Sequence, residues 1–336
     1  MRKNNDSIIY SKTPLRISFS GGGSDYPEYF HNFKGSVVGS SINQYIYIVS
    51  RPLKNWGKEK FTLSYRKAES VEHVDQIEHP VFREVLSREL SDRRFQFSVL
   101  ADLPAGTGLG SSSTFTVGLL NLIKFLKEEN LTRYDLAKLA IKYEREFLKE
   151  HVGVQDQIHA SYGGLNKYNF FKNEVSITPI NQPSINREIL NRSIFLISTG
   201  IKRRATNVAK DQVKRTKEKK ILSEIKNLTS LVDETISALR SSNPSKMLSE
   251  MGKILNENWY IKKSLTKKIS NEKLDNIHKS ILSQGAYGGK LCGAGAGGFF
   301  LFVAEPGNSK KIQKKFKKQF IDISMESNGS KIILGN

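Results

Sequence analysis

An α+β protein in two parts is what this chain predicts, and three observations carry that prediction. Stretches with the two-residue alternation of strands and stretches with helical spacing are interspersed along both halves. Glycine-rich turns lie next to strand-like runs and connect them to the neighbouring elements. A turn-rich stretch from Phe170 to Pro183 offers a boundary and divides the chain into residues 1–175 and 176–336. Mixed elements in two groups point to the α+β class.

Taken in order, Ile42 to Val49 is rich in β-branched and aromatic residues and predicts a strand. Phe95 to Leu100 predicts another, with Phe95, Phe97 and Val99 alternating with Gln96 and Ser98. A glycine-rich turn comes next, at Pro104 to Gly110. A helix then starts near Ser111, with Phe115, Leu119, Leu122, Ile123 and Leu126 on one face. Thr132 and Asp135 resemble a capping box that opens a helix running to about Glu150. Gly153 ends it, and Gly163-Gly164 marks a further turn. The second half predicts a strand at Ile194 to Ser198 and polar helices from about Ala205 to Leu239. A helix near Pro244 to Asn256 and a buried strand at Gly298 to Ala304 come after these. A basic helix and a short strand at Lys331 to Leu334 close the chain.

Composition narrows the function classes. The chain has 336 residues, 38% of them hydrophobic, enough for a substantial core and unlike a disordered chain. Cys292 is the single cysteine, so no disulfide framework can form within the chain, and a reducing, cytoplasmic setting is expected. Met1 to Ser7 is polar, and the most apolar run, Phe299 to Ala304, is far too short to span a bilayer. No membrane partner is expected. The net charge of +20 concentrates in Lys202 to Lys220 and Lys310 to Lys318. Such runs are either solvated lysine-rich faces or attractors of phosphate-rich ligands. Neither carries zinc-finger spacing or an RNA-recognition signature, and no nucleic-acid partner is expected. Monomer and homodimer both stay open.

Several motifs are absent from the sequence: the Walker A loop, the protein-kinase set, the G-x-S-x-G elbow and H-E-x-x-H. Gly293-x-Gly295-x-x-Gly298 matches the dinucleotide fingerprint by letter, but an apolar strand comes after it where a helix is required. Three glycine-rich segments remain. The middle one, Pro104-Ala-Gly106-Thr-Gly108-Leu109-Gly110-Ser111-Ser112-Ser113, lies between a strand and a helix. Glycines let backbone approach a ligand closely, and the amides and dipole of a helix N-terminus attract anions. An ordinary serine-capped connection would look the same. Glu144 falls inside the apolar arc of its helix, with Leu136, Leu139, Ala140, Tyr143, Phe147 and Leu148. A carboxylate there needs a partner, either Mg²⁺ or a buried Arg or Lys. Asp156, in Val154-Gln155-Asp156-Gln157, could take a hydroxyl proton or cap the next helix. In the first segment, Lys12 to Asp25, Arg16 could clamp a phosphoryl group or form a surface ion pair. Asp25 could hydrogen-bond a sugar hydroxyl.

Together, KTPLRISFSGGGSD, PAGTGLGSSS and LCGAGAGGFF resemble the three motifs of the GHMP kinase superfamily, in order and spacing, over nearly the whole chain. The resemblance implies a ribosomal-S5-like N-terminal domain and a ferredoxin-like C-terminal domain, with ATP and acceptor meeting between them. It implies that Pro104, Gly106, Gly108, Leu109, Gly110, Ser111, Ser112 and Ser113 wrap the ATP phosphates. It assigns Mg²⁺ to Ser112 and Glu144, the catalytic carboxylate to Asp156, and phosphoryl stabilisation to Arg16 with help from Lys12. Gly22-Gly23-Ser24-Asp25 lacks the Glu and His of galactokinases. That run and Thr199-Gly200-Ile201-Lys202-Arg203 are similar to the heptose 7-phosphate kinases of the superfamily. Those enzymes phosphorylate the anomeric C1 hydroxyl for nucleotide-activated heptose in capsule, surface-glycan or S-layer synthesis. On that likeness Gly22, Gly23, Ser24, Asp25, Thr199, Lys202, Arg203, Gly293 and Gly295 are expected around the sugar phosphate. Kinases for fucose or galactose, and a non-catalytic sugar sensor, are the alternatives.

Overall fold

The computed structural model describes residues 8–54, 57–201 and 206–335. In the first part lie β1 (Ile9–Ser20), α1 (Pro27–Phe30), β2 (Gly35–Pro52), β3 (Phe61–Ser64), β4 (Ala68–Val71), α2 (Pro80–Glu89), β5 (Phe95–Ala101), α3 (Ser111–Leu126), α4 (Arg133–Lys142), α5 (Gln155–Tyr162), β6 (Leu165–Phe171) and β7 (Glu174–Pro179). The second part holds α6 (Ser184–Ser193), β8 (Ile194–Ser198), α7 (Thr206–Lys217), α8 (Leu222–Leu239), α9 (Pro244–Leu265), α10 (Glu272–Leu282), β9 (Ala286–Leu291), β10 (Phe299–Ala304), α11 (Pro306–Lys315), β11 (Phe320–Asp322), β12 (Met325–Glu326) and β13 (Lys331–Leu334).

Among the described residues one sheet has nine strands, with the order β13-β1-β2-β5-β3-β4; β6 and β12 join it along β2, and β7 pairs with β6. The long β2 makes this possible. Its first half pairs with β6 and its second half with β5, while β1 runs along its other edge. The stretch expected as a turn-rich boundary is largely the β6–β7 hairpin. The strands β12 and β13, at the end of the chain, pair with β2 and β1. A division at residue 175 therefore does not follow the sheets.

The second sheet is antiparallel, with the order β11-β8-β10-β9. Numbered within this part, that is 4-1-3-2, the order of a split β-α-β-β-α-β unit. Phe299 to Ala304, apolar at every position, is buried throughout as β10, and β8 and β9 flank it. Apolar side chains of α8 and α9, including Leu228, Leu255 and Trp259, fill the space between the elements. The 22-residue α9 begins at Asn243, whose side chain accepts from the Lys246 amide at 3.1 Å. It continues to Leu265, well beyond the expected Asn256.

α3 is buried over most of its circumference, from Ser113 to Ile123. Its expected apolar stripe is thus the visible part of a largely interior helix. Beside it, α4 opens at Thr132 as expected but does not continue as an α-helix to Glu150. It widens into a π-helical turn over Tyr143–Phe147. Such insertions often sit at functional positions, and this one carries Glu144. Among the described residues no helix is long and apolar enough to cross a membrane.

Candidate active site

β1 delivers Arg16, 6% exposed, to the turn before α3. Its backbone N–H donates to Leu109 O at 3.2 Å, and its Nη1 donates to Gly108 O at 2.7 Å. The guanidinium also meets Asp156 as a fork. Nε donates to Oδ1 and Nη2 to Oδ2, both at 2.8 Å. Bidentate pairs of this kind fix direction as well as charge. Burial opposes the Arg16 charge, but the field and hydrogen bonds of Asp156 raise its pKa above the ordinary value. The Asp156 side chain keeps 25% exposure, so a carboxylate with further lone pairs still faces outward.

The glycine-rich turn closes on this pair. Gly110, at φ +76°, precedes α3, and a Cβ there would lie 3.2 Å from Asp156 Oδ2 and 3.4 Å from Arg16 Cγ. The third motif, between β9 and β10, packs backbone against backbone on the same turn. A Cβ on Gly108 would come within 2.6 Å of Cys292 O, and one on Gly293 within 2.4 Å of Gly108 Cα. Pro104, Gly106 and Ser112 are exposed, Leu109 and Ser113 buried, and Gly108, Gly110 and Ser111 intermediate. The exposed residues and the α3 N-terminus form an open anion cradle.

Glu144 occupies a different setting. It is fully buried, and among the described residues no Arg or Lys pairs with it. Its Oε2 accepts from Ser113 Oγ at 2.8 Å and from Gln157 Nε2. Its Oε1 is buried with no hydrogen-bond partner. Burial pushes its pKa up to about 7, opposed by the Ser113 hydroxyl and reinforced by the charge of Glu150. An orphaned carboxylate oxygen near a phosphate cradle fits Mg²⁺, which binds through one or two carboxylates plus phosphate oxygens. Among the described residues no group of three or more His, Cys, Asp and Glu could form a protein-only cage. Ser113, rather than Ser112, is the serine that touches Glu144; Ser112 lies on the exposed side of the first turn of α3.

Several expected site residues do other work. Lys12 is engaged by Tyr45: its ammonium lies 3.9 Å from the centre of that ring, and a register shift separates Pro14 from Arg16. Ser24 is wholly buried; its hydroxyl donates to Gly21 O and accepts from the Ser36 amide at 3.0 Å, tying the first motif to β2. Asp25 is 1% exposed and accepts from the amides of Gly23 (3.0 Å) and Gln155 (3.4 Å). It thereby anchors the start of α5, the helix that presents Asp156. Burial, then the Asp156 charge, raises its pKa. The Thr199 hydroxyl donates to Gly298 O at 2.9 Å. Gly295 lies against Ile269, and Gly23 against Gln212. Gly22 is the open glycine of the first motif, with only Ser18 Oγ near a hypothetical Cβ, at 3.9 Å. Lys202 and Arg203 lie outside the described residues.

The structure also brings in residues the sequence did not single out. Gln157 holds Glu144. Lys262, on α9, donates to Leu291 O at 2.9 Å and to Gly293 O. Lys290, 4% exposed on β9, donates to Phe19 O of β1 at 3.3 Å. Burial pushes Lys262 down to about 8 and Lys290 down to about 7, with the neighbouring cation charges adding to both. One Lys inside an otherwise uncharged strand was a visible signal for Lys290; Lys262 had none in a chain with 53 Lys and Arg residues. His159 lies near the Arg16–Asp156 pair but is held by Gln155 O at 2.8 Å, and burial pushes it down to about 4.

A glycine-rich helix N-terminus, a buried carboxylate and an Arg–Asp pair meet on these two sheets, an arrangement that could serve phosphoryl transfer. The GHMP kinases N terminal domain profile matches residues 79–164, and the GHMP kinases C terminal profile matches 228–322. The chain belongs to the GHMP kinases. Among curated relatives, D-glycero-alpha-D-manno-heptose 7-phosphate kinase of Campylobacter jejuni is 30% identical over 322 residues, covering 93% of this chain and 94% of the relative. Galactokinase of Pyrococcus furiosus is 26% identical, covering 66% of this chain and 68% of the relative. In solved structures the fold is shared with a D-glycero-D-manno-heptose 1-phosphate kinase from B. thetaiotaomicron (TM-score 0.77, 23% identity, 97% and 98% coverage). It is also shared with the Methanococcus jannaschii mevalonate kinase (TM-score 0.71, 19% identity, 96% and 99% coverage).

Proposed function

We propose that this kinase transfers the γ-phosphoryl group of ATP to the anomeric C1 hydroxyl of D-glycero-D-manno-heptose 7-phosphate, giving the 1,7-bisphosphate. The observation that carries the reaction type is the forked Arg16–Asp156 pair against Gly110 at the N-terminus of α3. The near-full-length likeness to the C. jejuni heptose 7-phosphate kinase supports the acceptor.

Asp156 takes the proton as O1 attacks the γ-phosphorus in line, and the bond to the β-phosphate oxygen breaks to release ADP. An anomeric hydroxyl is more acidic than an ordinary alcohol, so modest base help suffices. Arg16 fixes the direction of Asp156 and adds positive charge where the transferring group becomes negative. Amides of the Gly108–Ser113 segment hold the nucleotide phosphates. Glu144 and Ser112 would hold Mg²⁺, which when bound neutralises charge between the β- and γ-phosphates. Ser113 and Gln157 keep the Glu144 carboxylate in place. A nucleotide-activated heptose for surface polysaccharide, made in the cytoplasm, is the expected fate of the product.

The test is ATP consumption over a panel of sugars and sugar phosphates, with NMR of the product. A new phosphate on C1 of heptose 7-phosphate is the expected result. Faster turnover of fucose or galactose, or no turnover at all, would replace the acceptor or leave a sensor.

A further inference from the structure

Two buried lysines of the site are held by backbone carbonyls and by no carboxylate among the described residues. Three cations, Arg16, Lys262 and Lys290, act together on the Cys292 side chain. Asp156 is paired with Arg16, and Asp25 also acts on Arg16. Lys262 has two carbonyl oxygens, and Lys290 has a single long bond to Phe19 O. A buried ammonium left with only carbonyl partners is costly, and an anion relieves that cost.

Position says which anion. The Gly108–Ser113 cradle lies where Nη1 of Arg16 reaches Gly108 O. Lys290 instead crosses from the second sheet to Phe19, three residues before Gly22, the open glycine of the first motif. That end of β1 leads into the loop anchored by Asp25 and faced by Gln212 of α7. The nucleotide phosphates already have their own amides, whereas Lys290 brings to the first-motif side an ammonium held by one long carbonyl bond; Lys262 is held by the third motif beside it.

We propose that Lys290, with Lys262 beside it, binds the phosphate monoester that the acceptor already carries, and so makes the enzyme select phosphorylated over free sugar. This rests on the acceptor being a sugar phosphate, as argued above. It moves that contact from Lys202 and Arg203 to the junction of β9 and β1. Burial holds both ammonium groups below their usual pKa, and a dianion beside them restores their full charge.

The test compares heptose 7-phosphate with the same heptose lacking the phosphate, in the wild type, Lys290→Met and Lys290→Arg. Lys290→Met is expected to lower kcat/KM for heptose 7-phosphate by about 10–100-fold, the worth of a hydrogen bond to a charged group. Its rate with the free heptose and its KM for ATP stay within about threefold, and Lys290→Arg retains most of the discrimination. Equal losses on both acceptors, or a raised KM for ATP, overturn the proposal. Inorganic phosphate offers a measurement on the wild type alone. Competition against heptose 7-phosphate and not against ATP is expected; competition against ATP overturns it. A wild type that prefers the unphosphorylated heptose overturns the acceptor assignment as well. A wild type that prefers the phosphate, with an indifferent Lys290→Met, overturns the lysine assignment alone.

Discussion

Two carboxylates of this kinase lie twelve residues apart in sequence and live in opposite surroundings. Asp156 meets a guanidinium in a fork and keeps a quarter of its side chain exposed. Glu144 has no cation partner among the described residues, one satisfied oxygen and one orphan, and burial pushes its pKa up to about 7. On the proposed reading, the first arrangement aims a charged group at a reacting atom, and the second keeps a binding place ready for something that brings its own positive charge. The same functional group is thus given two tasks by what stands next to it.

The comparison is most exposed to Asp156→Asn. If Asp156 takes the proton, kcat falls by roughly 10²–10⁴-fold while MgATP binding is kept. Steady-state kinetics with nucleotide titration measure both, and a near-normal kcat would remove the base assignment.

Glu144 gives the next largest effect, through pH. Its folded pKa lies above the ordinary 4.5. The native state therefore holds an extra proton between about pH 4.5 and about pH 7, and stability falls as pH rises through that window. A shift of that size corresponds to on the order of 3 kcal/mol by linkage. Thermal unfolding in chelator at about pH 5 and about pH 8 should show a smaller loss of stability with rising pH in Glu144→Gln than in the wild type; Asp25 and Glu150, also raised by burial, keep the remainder. A slope unchanged by the substitution places the proton elsewhere.

With magnesium present, the same Glu144→Gln variant should need about 10–100-fold more Mg²⁺ for half-maximal rate. Asp156→Asn should leave that requirement unchanged. A magnesium titration of both variants separates the two carboxylates or merges them.

Gly110→Ala is the mildest change. It puts a side chain into a left-handed turn against Asp156 and Arg16. A cost of about 1–2 kcal/mol in stability is expected, with a lowered kcat and an unaltered magnesium requirement. A shifted magnesium requirement would mean that the two sites are mechanically one.

The glycine motifs and Glu144 could be picked out along the chain because each breaks a local pattern, whereas Arg16 and Asp156 came from the likeness of their motifs to a family. Glycines interrupt a strand–helix connection, and a carboxylate interrupts an apolar arc. Ser24 and Thr199 looked like ligand-binding hydroxyls but are consumed by Gly21, Ser36 and Gly298. A hydroxyl's partner is set by backbone brought from elsewhere, and residue type does not reveal it. Lys12 is engaged by Tyr45 for a similar reason, since the bulge in β1 and the contact with that ring exist only once β1 and β2 are paired.

By itself, then, the sequence determined the class of fold and the three glycine-rich loops, because these rest on local spacing, and its likeness to a family named the candidate groups Arg16, Glu144 and Asp156. The tertiary structure alone decided which end of the chain completes the first sheet, that Ser113 and Gln157 grip Glu144, and that Lys262 and Lys290 gather beside Arg16. Those outcomes depend on contacts between residues distant in the chain, such as Lys290 with Phe19 and Arg16 with Asp156. Such contacts form only when burial of the two sheets brings distant backbone together, and no periodicity along the chain encodes them.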